Sequence, residues 1–209
     1  MRKIFTIILL ITNTFYCQSQ DKVAKDILEK ISSVTKSYEN IKIEFNFLMT
    51  NKTHNINEYQ EGILELEKNK FRITMDDQII INDGAIQWIY LKESNELQIT
   101  ENDPEENTMN PHDIFTIYEK GYKYKYIGKK SIDNNNYDVI DLFPKESINF
   151  TKITLIINTI KNQLKEIQIQ DKNGGTYKYV IKNLMPNTNL SPFKFNQEDF
   201  PDIDIIDLR

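Results

Sequence analysis

Alternation of apolar and polar residues is the feature that most limits this chain, because residues two apart share one dry face only in an extended strand. "IKIEFNFLMT", beginning at Ile41, sets Ile43, Phe45, Phe47 and Met49 against Lys42, Glu44 and Asn46. The same habit runs through "EGILELEK" with Leu64 and Leu66, "KFRITM" with Phe71 and Ile73, and "ITLIIN" with Leu155 and Ile157. It recurs in "NELQIT", "YKYKYIG", "NYDVIDLF", "LKEIQIQD" and "TYKYVIKN". Turn residues punctuate these runs at Asn82-Asp83-Gly84, Ser94-Asn95, Asn134 to Asn136, and Asp171 to Gly175. Ten to twelve short strands in sequence predict a mainly β fold: an antiparallel, meander-like sheet, curled or nearly closed.

Two segments break the period. "DKVAKDILEKISSVTKSY" places Val23, Ile27, Ile31 and Val34 on one face at helical spacing, with Leu28 and Tyr38 beside it and Asp21 as N-cap. This helix is expected to cover a sheet. "ENDPEENTMNPHDIFTIYEKGY" follows an acidic loop with Asn110 as cap, Pro111 at the first helical position, apolar Ile114, Phe115, Ile117 and Tyr118, and Gly121 as a stop. A short helix between strands is expected there. No repeat of fixed period and no Gly-, Ser- or Pro-rich linker divides the chain, and 209 residues suit one good-sized domain.

The first residues, "MRKIFTIILLITNTFYCQSQ", combine a basic start at Arg2 and Lys3 with an apolar run from Ile4 to Ile11, which is the pattern of a signal peptide. Cys17 and Ser19 supply small residues for a cut after Ser19, leaving 20–209 as the domain. Lipidation of Cys17 is the alternative, although Thr14, Phe15 and Tyr16 lack the small residue that lipoprotein signals place before the cysteine. Cleavage removes two cations and takes the formal charge from -5 to -7. An acidic chain without a basic cluster has no electrostatic reason to bind nucleic acid. The only cysteine would leave with the signal, so no intramolecular disulfide is expected despite export.

Chemistry-bearing motifs are sparse. His54 and His112 sit in polar, turn-like surroundings, and H-E-x-x-H, G-x-S-x-G and a glycine-rich phosphate loop are all missing. The many carboxylates alternate with apolar residues or crowd into loops, as solvated charges do. "DKNGG" lacks the remaining ligands of a calcium loop and reads as a hairpin turn. What stands out is aromatic: Phe45, Phe47, Phe71, Trp88, Tyr90, Tyr122, Tyr124, Tyr126, Tyr177 and Tyr179. Such stripes usually form core, but a strongly curved sheet encloses more space than its own side chains easily fill, and folds of this kind often hold an apolar ligand.

The order of these segments resembles the LolA family of periplasmic outer-membrane lipoprotein carriers. It runs from "ILEKISSVTKSYENIKIEFNF" through "GILELEKNKFRITM", "INDGAIQWIYLKESNELQI" and "DLFPKES" to "DKNGGTYKYVIKN", "FKFN" and "FPDIDIIDLR". The resemblance implies an incomplete antiparallel β-barrel, a curved sheet of about eleven strands, with helices over its opening. It also implies a periplasmic carrier, not an enzyme, that takes lipoprotein acyl chains from an inner-membrane lipoprotein-releasing transporter to an outer-membrane receptor or the outer membrane itself. No cofactor or metal is expected, and the protein is read as a monomer.

The physics suits this role. Each methylene moved from water to an apolar site is worth about 0.8 kcal/mol, so an acyl chain of roughly 16 carbons costs on the order of 12 kcal/mol to expose. The expected ligand-binding wall is Phe45, Phe47, Leu64, Leu66, Phe71, Ile73, Trp88, Tyr90, Leu155 and Ile157, with Ile114, Phe115 and Tyr118 on the covering helix. In "IIINDGAIQWIYL", Asp83-Gly84 makes the turn and Trp88 and Tyr90 are expected inside, though alternation leaves open whether Ile89 and Leu91 are the inner pair. Family members carry a basic residue before the K-F-R-like strand, thought to tie down the lid. Lys68 is the approximate match, without the proline that follows in many relatives, and Arg72 is the alternative, expected to face outward. An envelope sensor or adaptor, or a carrier of another lipid, is the rival reading on the same fold.

Overall fold

The computed structural model describes residues 22–102, 121–146 and 148–209. Helix α1 (22–36) precedes a sheet of twelve strands. The first six are β1 (Ile41–Asn51), β2 (Ile56–Glu67), β3 (Lys70–Met75), β4 (Gln78–Asn82), β5 (Ile86–Leu91) and β6 (Glu96–Glu101). The rest are β7 (Tyr122–Ile132), β8 (Asn135–Pro144), β9 (Phe150–Asn158), β10 (Gln163–Asp171), β11 (Gly175–Pro186) and β12 (Asp204–Asp207). Their spatial order is β12-β6-β5-β4-β3-β2-β1-β11-β10-β9-β8-β7, so two meanders are joined at the centre by β1 and β11. The sheet is curved and does not close into a barrel. The expected incomplete barrel is therefore present, with β12 and β7 at its two ends among the described strands.

Local chemistry fixes the turns. In the β4–β5 hairpin the Asp83 carboxylate accepts the N–H groups of Ala85 (2.9 Å) and Ile86 (2.8 Å), and Asn82 Oδ1 accepts that of Gly84 (2.7 Å). Gly84 has φ +97°, which a side chain would resist. Buried Asn82 donates in turn to Asn102 Oδ1 at 2.8 Å, pinning the far end of the β6 hairpin.

Helix α1 presents Ala24, Leu28 and Ile31 to the sheet, with Ile27 partly buried beside them. Val23 is 40% exposed, so the buried stripe lies about one residue round from the expected Val23–Ile27–Ile31–Val34 face. Hydrophobicity alone favoured the larger Val23, but small Ala24 permits close approach of the helix backbone. Asp21 and the expected helix of Ile114, Phe115 and Tyr118 lie outside the described residues.

The register assigns every strand residue to one of two faces. On the helix face lie Ile41, Ile43, Phe45 and Phe47 of β1, opposite Leu66, Leu64, Gly62 and Gln60 of β2. Leu66 and Leu64 lie opposite Phe71 and Ile73 of β3. The Phe45 ring covers Gly62, where a Cβ would overlap it. The other arm adds Ile140, Leu142, Ile153, Leu155, Ile157, Leu164 and Ile167 to the same core. The opposite face of this arm mixes buried Ile156 with shielded carboxylates that are paired: Asp141 with Lys152 (3.1 Å) and Glu166 with Lys178 (3.1 Å).

A second core lies on that opposite face, confined to β4–β6. Ile81, Trp88, Tyr90, Leu97 and Ile99 pack against Phe195, with Phe193, Phe200 and Ile203 around them. These last residues belong to the segment 187–203, here called the strap, which carries the chain to β12. The strand β12 pairs parallel to β6, from Asp204 opposite Glu96 to Asp207 opposite Ile99.

Candidate functional site

The helix face continues beyond the residues that α1 seals. Phe47, Tyr122, Tyr124, Tyr126, Phe150, Ile169 and Tyr179 adjoin the core but remain only partly buried. Tyr179 lies between two rings, its centroid 5.9 Å from that of Phe45 and 5.1 Å from that of Phe47. Tyr122 stacks on Phe150 at 6.4 Å with the planes 8° apart. The alternation of "YKYKYI" places the three β7 tyrosines on this face, opposite Pro144, Leu142 and Ile140.

Four of the tyrosine hydroxyls on this face, of Tyr122, Tyr126, Tyr177 and Tyr179, are shifted toward the neutral form. Tyr126 is pushed up to about 12, by burial first and then by its 2.7 Å hydrogen bond to the Asp138 carboxylate. Asp138, itself buried, also accepts the Thr159 hydroxyl at 2.8 Å, so its charge is shared between two donors. Burial likewise raises Tyr122 and, with a smaller contribution from Tyr177, Tyr179. Tyr177 is raised by burial and by Asp171, to which it donates at 3.2 Å. The result is a largely apolar surface whose tyrosine hydroxyls are tied in part to the Asp138 and Asp171 carboxylates. Among the described residues no cluster of three His, Cys, Asp or Glu could hold a metal ion. His54 is exposed in the β1–β2 turn, and His112 lies outside the described residues.

Of the expected wall, Phe45, Phe47, Leu64, Leu66, Phe71, Ile73, Leu155 and Ile157 share the helix face. Phe45, Leu66, Phe71, Leu155 and Ile157 are sealed core, whereas Phe47, Leu64 and Ile73 are partly buried. Trp88 and Tyr90 require a correction. Phe71 pairs with Asn82 and Ile73 with Ile80, while Ile81 pairs with Trp88 and Ile79 with Tyr90. Directly paired residues share a face, so Ile89 and Leu91 turn to the helix side and Trp88 and Tyr90 to the strap side. Tyr122, Tyr124, Tyr126 and Tyr179 carried a signal in their alternation, but the expected wall omitted them.

The lid residues can be placed in part. Lys68 is exposed in the β2–β3 turn at φ +53° and makes no hydrogen bond or ion pair among the described residues. Arg72 faces outward as its alternation implied, and holds the strap: Nη2 donates to the carbonyls of Pro192 (2.8 Å) and Lys194 (3.4 Å). Buried Glu65 accepts the Ser191 N–H at 3.1 Å and pairs with Lys42 at 3.4 Å. The strap then drops Phe195 and Phe200 onto Tyr90, with centroids 5.6 and 4.5 Å away. The run "PFKFNQEDF" was the available sequence signal for this cover.

Comparison with known proteins agrees with this architecture. The family model described as outer membrane lipoprotein carrier protein LolA matches residues 36–198. An uncharacterized protein of Methanocaldococcus jannaschii is 30% identical over 151 residues, which is 67% of this chain. The match spans 43% of that relative, less than half its length. Among solved structures, an uncharacterized conserved protein from Thermus thermophilus aligns with a TM-score of 0.53 at 12% identity, over 88% of this chain and 99% of its own. A LolA superfamily protein from Nitrosomonas europaea aligns with a TM-score of 0.41 at 15% identity, over 86% and 97% of the two chains.

Proposed function

Because the chain belongs to the LolA family, we propose that it is a periplasmic carrier that binds lipoprotein acyl chains and moves lipoproteins from the inner to the outer membrane. One observation supports this reading: the helix face carries two aromatic groups, Phe47 with Tyr179 and Tyr122 with Phe150 beside Tyr124 and Tyr126, that pack against the core yet stay only partly buried. Apolar surface left unsealed beside a core marks a place for an apolar partner.

The cargo chain lies along Phe47, Tyr124, Tyr126, Ile169 and Tyr179, with the tyrosine hydroxyls toward its polar end. The protein acts by binding and release, without catalysis. Residues 1–19 act as the export signal and 20–209 as the carrier domain. The chain receives cargo from an inner-membrane lipoprotein-releasing transporter and yields it to a receptor or to the outer membrane itself.

The test is to incubate the protein without residues 1–19 with membranes that hold an active transporter and a labelled triacylated lipoprotein. The carrier should extract the lipoprotein in soluble one-to-one complexes, and Phe47→Asp or Tyr124→Asp should abolish extraction. Failure of the wild type to extract under these conditions would assign the fold to another lipid or to an envelope sensor.

A further inference from the structure

The strap does not lie flat on the sheet. Between it and β3–β4 opens a cleft of about 560 Å³, within the range of ordinary small-molecule sites. Its floor is apolar, from Ile79, Ile81 and Phe200, and its rim carries Arg72, Lys194 and Asp199. The site is on the opposite face of the sheet from the proposed acyl-chain surface and does not rest on that reading.

Arg72 is the unusual member. Among the described residues its hydrogen bonds run only from Nη2 to two strap carbonyls, and its Nε is shielded from solvent with no acceptor. It makes no ion pair among the described residues, since nearby Glu65 is taken up by Lys42 and the Ser191 N–H. The half-buried guanidinium shares the nearby Glu65 carboxylate with Lys42 and the Ser191 N–H, so its charge is only partly compensated and is relieved further by a bound anion. Lys194 adds a second positive charge and Asp199 subtracts one, which leaves the rim suited to a single negative charge.

We propose that this cleft binds a monoanionic amphiphile, a single carboxylate on an apolar chain, with the carboxylate on Arg72 beside Lys194 and the chain on Ile79, Ile81 and Phe200. Nη1, which neither strap carbonyl takes up, can donate to one carboxylate oxygen in a charge-assisted hydrogen bond, and the floor accepts the hydrocarbon. Occupancy would also fasten the strap, because the ligand and the Pro192 carbonyl share one guanidinium.

The test is a titration of the ¹⁵N-labelled full chain with octanoate, and in parallel with octan-1-ol, followed by NMR. Octanoate should give saturable shifts at the Arg72 Nε–Hε signal and at the amides of Lys194 to Phe200, and octanol should not. Arg72→Gln should weaken octanoate by about tenfold or more, as expected for loss of a charge-assisted pair. Lys194→Gln, which leaves the strap carbonyls in place, should weaken it about threefold and guards against a trivial unfolding of the strap. Equal responses to octanol and octanoate at the cleft, shifts confined to Phe47, Tyr124 and Tyr179, or unaltered affinity in both variants would each overturn the proposal.

Discussion

The helix face and the strap face are both built from apolar strand residues, yet they are finished differently. On the strap face the chain covers itself: Phe195 and Phe200 stack 4.8 Å apart, and Phe200 meets Tyr90 at 4.5 Å. Hydrogen bonds from Arg72 and to Glu65 fix the cover at its entry. On the helix face α1 seals a central core, while the tyrosines of β7 and β11 stay partly buried around it. The contrast separates two uses of the same residue types. Where the strap closes over aromatic residues they join a second core, and at the margin of the α1 core the aromatic residues stay partly buried.

Variants should pull these uses apart. The largest effect is expected from Phe195→Ala, which empties the centre of the strap core and should cost about 3–5 kcal/mol in urea denaturation. Lipoprotein extraction by the folded fraction should be unchanged; a parallel loss would mean that the two faces are coupled. Tyr124→Asp is the converse, with extraction falling about tenfold or more and stability changing by less than about 1 kcal/mol.

Smaller effects sharpen the comparison. Gly62→Ala drives a methyl into the Phe45 ring and should cost about 1–3 kcal/mol, read as a lower urea midpoint. Glu65→Ala leaves the Ser191 N–H without its acceptor, at about 1–3 kcal/mol, and should raise hydrogen exchange in the strap while sparing α1.

A pH test addresses the helix face. The Tyr126 hydroxyl is pushed up to about 12, so the folded state keeps a proton that the unfolded chain releases near 10. Its stabilisation is complete below about pH 10 and disappears as pH rises toward 12. Tyr126→Phe should flatten that part of the alkaline unfolding curve. The smallest effect belongs to the exposed edge, where Asp207 is held at about 2 by its side-chain and backbone hydrogen bonds from Arg209. Arg209→Ala, which keeps the backbone N–H, should raise Asp207 toward the ordinary aspartate range in a carboxyl NMR titration, with no measurable loss of stability.

Much of this architecture was legible. The alternation in "IKIEFNF" and "YKYKYI" predicts strands with one dry face, and β1 and β7 have that form. The Asp83-Gly84 turn was readable because its chemistry is local. The position of Trp88 was not. "IIIN" and "IQWIYL" are apolar on both alternating sets, the mark of strands covered on both sides, and such runs give no preference for either face. Only pairing to Phe71 and Ile73 through β4 resolves it. The strap was hidden for another reason: "PFKFNQEDF" has no long regular period, and its partners, Arg72 and Glu65, lie more than a hundred residues earlier.

By itself, then, the sequence determined the strands, their turns, the amphipathic helix α1 and the family pattern, because each depends on neighbours a few residues apart. The tertiary structure decided which arm of the sheet carries two cores, that Arg72 holds the strap, and which aromatics remain partly buried. Period-two alternation fixes that neighbouring side chains point oppositely; it does not say which side will be covered. That sign is set by cross-strand register and by what the rest of the chain folds over each face.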